Sequence, residues 1–167
     1  MQKGPPPSNL ASMRLTDPLN NLGLDLGSEQ KAKLLDFSKV LLQWNKKTNL
    51  ISRGDEARVL PRHILDSLAA TSFLVGDKVV DIGSGAGLPG LPLAIACPQK
   101  KFTLCDRMKK RTHFMRFVIA KLGIDNAQVV EAPFEEIVSM GESYDCVVSR
   151  GVGRVEVLWP IIKSAIA

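Results

Sequence analysis

The sequence predicts an α/β protein: a Rossmann-like, mainly parallel, doubly wound sheet carrying an N-terminal helical extension. Three observations lead there. From residue 77 onward, short apolar runs alternate with amphipathic helical segments, as in strands joined by right-handed crossovers. The first run, Lys78-Val79-Val80-Asp81-Ile82, leads into the glycine loop Gly83-Ser84-Gly85-Ala86-Gly87 and then a helix; strand, loop, helix is the order of nucleotide-binding sheets. Before residue 76 the apolar residues instead recur at helical spacing.

The elements follow in order. Residues 1–27, with Pro5-Pro6-Pro7 and the turn formers Pro18, Asn20, Asn21, Gly23 and Gly27, are expected to be flexible. Residues 28–167 are expected to form one domain, divided into a helical extension over 28–75 and a Rossmann-like core over 76–167. Ser28 is a good N-cap for a helix whose stripe is Leu34, Phe37, Leu41 and Trp44. A polar, basic turn follows over 45–54. A second helical stretch from Asp55 is expected to break near residue 60, because Pro61 fits poorly inside a helix. Residues 62–70 read as helix again, burying Ile64, Leu65 and Leu68. In the core, strands are expected over 78–82, 102–105, 127–130 and 144–148. Helices are expected over 88–96, 108–122, 134–140 and 155–167. Pro89 falls in the first turn of one, where proline is tolerated, and Gly123 stops another.

Composition excludes some classes. Apolar residues make up 45% and charged residues 23% of the 167 residues, so a chain of this length can close a core around one domain. No apolar run approaches the roughly 20 residues of a membrane helix, and the N-terminus lacks the apolar stretch of a signal peptide; we expect a cytoplasmic protein without membrane contact, and a monomer. Cys97, Cys105 and Cys146 are odd in number and lack zinc spacing, so no metal is expected and they read as core residues of a reducing compartment. Aromatics at 5% argue against a stacking platform for single-stranded nucleic acid. A net charge of +5 favours a polyanionic partner without naming one.

The glycine loop leaves two ligands open. Gly85-Ala86-Gly87-Leu88-Pro89-Gly90 matches the dinucleotide pattern literally, a weak signal alone. Asp81 stands two residues before Gly83 at the strand's end, and its charge suits the cationic methionine part of S-adenosylmethionine better than a pyrophosphate. Gly83 lies outside the dinucleotide register. Asp106 ends the second strand where a carboxylate can grip ribose hydroxyls, which suits either ligand; it can equally cap the next helix. Phe134 and Glu135 follow the third strand, where an adenine would rest, or form the first turn of an ordinary helix. The balance favours a class I S-adenosylmethionine-dependent methyltransferase sheet.

Four ordered motifs then resemble a known family. Trp44-Asn45-Lys46-Lys47-Thr48-Asn49-Leu50 is similar to the W-N-x-x-x-N-L stretch of the RsmG family, also called glucose-inhibited division protein B. Arg62-His63-Ile64-Leu65-Asp66-Ser67-Leu68 resembles its R-H-x-x-D-S segment, residues 81–90 its donor loop, and Ser149-Arg150 its S-R-A motif, with Gly151 in place of the alanine. The resemblance covers residues 28–167. It implies a bacterial 16S rRNA guanine-N7 methyltransferase that acts on 16S rRNA or the 30S subunit. It implies donor contacts at Gly83, Leu88, Phe134, Glu135 and Arg150, with Asp81, Asp106 and Gly85 fitting the general methyltransferase pattern. Family members continue with further strands, so the C-terminal strands of the sheet are expected to be missing here.

The chemistry asks little of the protein. Guanine N7 carries an in-plane lone pair and attacks a sulfonium methyl without losing a proton, so in-line positioning does most of the catalysis. No general base is needed; Arg150 and His63 are the candidates for a catalytic role. His63 and Asp66 lie one helical turn apart on the same face and suit a catalytic pair, an RNA contact or a structural contact. Lys46, Lys47, Arg53 and Arg62 cluster before the core, and Lys109 and Lys110 open the helix after Asp106. Cations at a helix start oppose its dipole, which points to phosphate contacts; a merely solvated face is the alternative. Two other functions remain open: a truncated, catalytically impaired RNA-binding module, and an NAD-dependent oxidoreductase.

Overall fold

A computed structural model describes residues 15, 17–139 and 141–166. Its centre is a parallel sheet of β1 (Lys78–Ile82), β2 (Lys101–Cys105), β3 (Ala127–Val130) and β4 (Cys146–Ser149), in the spatial order β3-β2-β1-β4. Helices are α1 (residues 17–21), α2 (Ser28–Thr48), α3 (Asp66–Leu68), α4 (Gly90–Ala96), α5 (Lys109–Leu122), α6 (Phe134–Ser139) and α7 (Val155–Ile162). Every strand-to-strand step passes through a helix, as parallel pairing requires.

Alternation along the strands divides the core in two. Val79, Phe102 and Leu104 face a large cluster built from α1 to α5, whereas Val80, Ile82 and Cys105 face a smaller one with Phe134, Ile137 and Ala165. Being covered on both faces explains why β1 and β2 are continuously buried after their first lysine, and apolar there except for Asp81 and Thr103. The helical extension is fastened at both ends of α2. Near its start, Gln30 accepts from the Gly27 N–H and donates to the carbonyls of Ile95 and Ala96, satisfying the open end of α4. Near its finish, Trp44 packs on His113, Phe114 and Phe117 of α5, with ring centroids 5.6, 5.3 and 5.2 Å apart.

Several expectations shift. Residues 17–21 form α1, and Leu15, Leu19 and Leu26 are buried. This part of the 1–27 segment is therefore packed, because its leucines cover the α2 face of the core; the flexibility expected for residues 1–14 lies outside the described residues. No break occurs at residue 60. Short turns run from Arg53–Arg58 through Leu60–Leu65 and α3 to Ala69–Phe73, and Pro61 sits in a first turn, where its missing N–H costs nothing. The last helix ends at Ile162 rather than 167. The chain then turns so that Ala165 accepts from the Tyr144 N–H and Ile166 forms a parallel bridge with Tyr144. Among the described residues, that bridge is all that extends the sheet beyond β4.

Candidate functional site

The C-terminal ends of all four strands open on one cavity of about 550 Å³, within the range of small-molecule sites, roughly 300–1,000 Å³. Gly83, Gly85 and Leu88 line it from the β1 loop, and Asp106 and Arg111 from the segment after β2. Phe134 and Glu135 enter after β3, and Arg150 after β4. This is where open α/β sheets place ligands. Leu50, at the exit of α2, and Leu158 and Ile161 of α7 supply apolar walls.

The glycine loop is shaped by its conformation. Gly83 and Gly85 have φ of 64° and 56°, the left-handed region that side chains resist. A Cβ on Gly85 would meet only the Gly83 carbonyl, 3.8 Å away, so a side chain there would take up open cavity space. Asp106 locks the loop to the neighbouring strand. One carboxylate oxygen accepts the Gly85 N–H at 3.0 Å and an Arg111 contact at 3.3 Å; the other accepts the Met108 N–H at 2.8 Å. Asp106 thus both faces the cavity and caps the turn into α5.

Asp81 does not face the cavity. It lies on the opposite side of the pleat from Val80 and Ile82, fully buried, with one carboxylate oxygen accepting the Gly90 N–H at 2.9 Å and the other without a partner. Its backbone carbonyl accepts the Ser84 hydroxyl. Burial pushes its carboxyl up to about 7, against the Gly90 and Ser84 hydrogen bonds, which lower it. A direct ligand contact expected from its place at the strand end is therefore replaced by support of the loop from beneath. Cys105, under the cavity floor, donates to the Ala132 carbonyl, and burial pushes its thiol up to about 12, leaving it inert.

Arg150 reaches beyond the cavity. Its guanidinium donates to His63 Nδ1 at 2.6 Å and to Asp66 Oδ2 at 3.2 Å, so the two residues of the 62–68 motif meet through Arg150 and not directly. These side chains line a second hollow of about 630 Å³ with Asp55, Arg58 and Arg62. Burial, then the nearby Arg150 charge, holds the His63 pKa below its ordinary value.

The remaining candidates are spread out. Lys46 and Lys47 are exposed in the last turn of α2, Arg53 is exposed beyond it, and Lys109 and Lys110 are exposed at the start of α5; only Arg62 of this group lines either cavity. Sequence reasoning missed Asp55, which binds Arg62 at 3.2 Å and Arg58 at 3.4 Å, and the α7 wall, whose apolar spacing reads as core. It also passed over Asn45, a buried amide that donates to Glu56 and accepts the Ile51 N–H; this residue of the Trp44–Leu50 motif holds the turn that carries Leu50 to the cavity.

Solved structures share the architecture. The precorrin-6y C5,15-methyltransferase of Geobacter metallireducens superposes with a TM-score of 0.51 at 22% identity, over 71% of this chain and 59% of that one. TehB of Haemophilus influenzae gives 0.51 at 21%, over 74% and 41%. Sequence relatives are nearer. Proteins named ribosomal RNA small subunit methyltransferase G from Methylococcus capsulatus and Alteromonas mediterranea are 38% and 43% identical over 141 and 143 residues. These alignments take in 84% and 85% of this chain and 68% and 67% of theirs. The family model for rRNA small subunit methyltransferase G matches residues 30–166, and the chain therefore belongs to that family of S-adenosylmethionine-dependent rRNA methyltransferases.

Proposed function

We propose that this chain transfers the methyl group of S-adenosylmethionine to N7 of guanine 527 of 16S rRNA, either on the free RNA or on the 30S subunit, as a monomer in the cytoplasm. The observation that carries this reading is Arg150, which lines both the strand-end cavity and the adjoining hollow; a donor in one and a base in the other would meet beside it. The donor set suits the ligand. Gly85 leaves backbone open to close approach, Gly83 lets the Val152 side chain close in on the loop, and Asp106 and Glu135 offer carboxylates for hydroxyls or cationic groups. Leu88 and Phe134 offer apolar surface for a flat base. Asp81 contributes by holding the Ser84 and Gly90 ends of the loop.

Bound S-adenosylmethionine supplies an electrophilic methyl on a sulfonium. The protein's part is to hold the acceptor in line with it and to exclude water. Guanine N7 has no proton to lose, so His63 and Arg150 orient and need not take up a proton. The exposed Lys46, Lys47, Arg53, Arg62, Lys109 and Lys110 supply phosphate contacts around both openings. The test has two arms. Calorimetric titration with S-adenosylmethionine should show one site, and labelled-methyl transfer should give 7-methylguanosine at position 527 in naked 16S rRNA or in 30S particles. Donor binding without transfer to either substrate would remove the rRNA claim and leave an RNA-binding module.

A further inference from the structure

α5 turns toward solvent an aromatic and basic stripe that the cavity does not use. Lys110, His113, Phe117 and Lys121 recur at helical spacing, which sets them on one face. His113 and both lysines are exposed, and Phe117 keeps 39% of its surface in solvent. The rings of Phe117 and His113 lie 5.2 and 5.6 Å from that of the half-buried Trp44 on α2. Single apolar side chains at a surface are ordinary, but here three rings adjoin. Lys121 Nζ sits 5.6 Å from the centre of the Phe117 ring, a weak contact at an exposed site that leaves the lysine able to swing away. α5 carries Lys109, Lys110, Arg111, Arg116 and Lys121 and no acidic residue. Asp106 and Glu131 bind Arg111 and Arg116. Among the described residues, the three lysines of α5 make no ion pair; the lysines that do are Lys33 and Lys39 of α2. The stripe begins beside the cavity, whose wall includes Arg111. From Lys110 to Lys121 it runs roughly 16 Å, at the helical rise of about 1.5 Å per residue.

Charge and ring surface together select the partner. A duplex offers phosphates to the lysines but keeps its base faces stacked, which leaves the rings uncovered. An unpaired RNA segment offers both phosphates and base faces. Resting on the guanine-N7 reading above, we infer that this stripe is a second contact surface for the RNA, outside the cavity. A single-stranded stretch runs along α5; an unpaired base covers the rings of Phe117, His113 and Trp44, and phosphates on its two sides meet Lys110 and Lys121. Stacking of this kind tolerates any base, because every base has a π-face. The stripe therefore adds affinity and holds the strand at the cavity's edge, and it leaves the choice of target to the cavity and its neighbours. Phe117, His113 and Lys121 touch neither the methyl donor nor the reacting atoms and act as binding residues.

The test compares two labelled probes of equal length: single-stranded oligoadenylate and its duplex with oligouridylate. By fluorescence anisotropy, Phe117→Ala should weaken single-strand binding about tenfold. Duplex binding, and S-adenosylmethionine binding by calorimetry, should stay within about twofold. Phe117→Tyr, which keeps a ring, should bind like wild type. Lys121→Gln should lower the salt slope of single-strand binding by roughly 0.7. On naked 16S rRNA, Phe117→Ala should raise KM about tenfold with kcat unchanged, since a contact outside the cavity holds ground and transition states alike. Equal losses on both probes, or no loss on either, would overturn the inference. A KM effect on 30S particles that is absent on naked rRNA would also overturn it, by placing a protein on the stripe. If Phe117→Ala unfolds, Phe117→Leu, which keeps apolar bulk against Trp44 but no ring, decides through the same ratio of probes. Wild-type donor binding with no transfer to either rRNA substrate would instead defeat the guanine-N7 reading, while the probe ratio would still decide this inference.

Discussion

The strand-end loops and the helical turns over residues 53–66 border the same arginine, yet they are built in opposite ways. In the loops, Asp106 joins Gly85, Met108 and Arg111, and the walls rest on a sheet buried on both faces. In the turns, segments of six residues or fewer follow one another, their arginines are exposed, and the buried His63 Nε2 has no hydrogen-bond partner. The difference teaches a division of labour. A ligand shared by a whole class of enzymes can be met by stiff, pre-satisfied backbone. The turns carry exposed arginines and a buried ring nitrogen without a partner, which irregular structure tolerates more readily than a packed sheet does.

The largest expected effect tests what the two regions share. Phe114 is fully buried and packs on Trp44 of α2 and Phe37, with centroids 5.3 and 6.5 Å away. Phe114→Ala should cost about 3–5 kcal/mol in denaturant unfolding and weaken both regions together; loss confined to one of them would break the picture of a common support.

Asp106→Ala should act on the loops alone. Two backbone N–H groups lose a charged acceptor, each such bond being worth about 1.5–3 kcal/mol. Donor affinity by calorimetry should fall by more than tenfold while RNA affinity by filter binding holds. An equal fall in both would mean that the loop and the turns are mechanically coupled.

Asp81 sharpens the comparison through pH. Its folded pKa, about 7, is raised above the ordinary 3.8. The protonated fold is thus favoured: the group's contribution is fully present below pH 3.8 and is lost as pH rises to about 7. Wild type should lose stability relative to Asp81→Asn across that window, by at most about 1.4 kcal/mol per pH unit. Parallel stability curves for the two proteins would place the ionised carboxylate in the fold throughout.

The smallest effect concerns the surface. Replacing Lys109 and Lys110 with alanine should leave donor affinity unchanged. It should reduce the salt dependence of RNA binding by roughly 0.7 in slope per lysine. An unchanged slope would mark these lysines as a solvated face.

Much of the loop region was legible in the sequence because its signal is local. Gly83, Gly85 and Leu88 lie within one strand–loop–helix unit, and Asp106 closes the adjacent strand, so spacing alone brings them together. The face of the strand on which Asp81 points was misjudged, since a strand end says nothing about which side of the pleat meets the ligand. The hollow was scarcely visible. His63 and Arg150 stand 87 residues apart, and Asp55 carries no pattern of its own. The motif holding His63 and Asp66 was evident, but their meeting through Arg150 needed the β1–β4 pairing. Pro61 misled because first-turn proline and helix-breaking proline are the same letter.

The pairing of β1 with both β2 and β4 also sets an order of assembly. The Gly85–Asp106 hydrogen bond closes a span of 21 residues, whereas the Arg150–His63 contact closes 87. Loop-closure entropy makes the longer span dearer by about 1.3 kcal/mol, and non-local contacts form late. During refolding, the loop joined to Asp106 should therefore reach its native protection first, and the hollow beside Arg150 should appear only when β4 docks. The glycine loop and Asp106 would thus take shape before Arg150 and α7 close the far wall of the cavity.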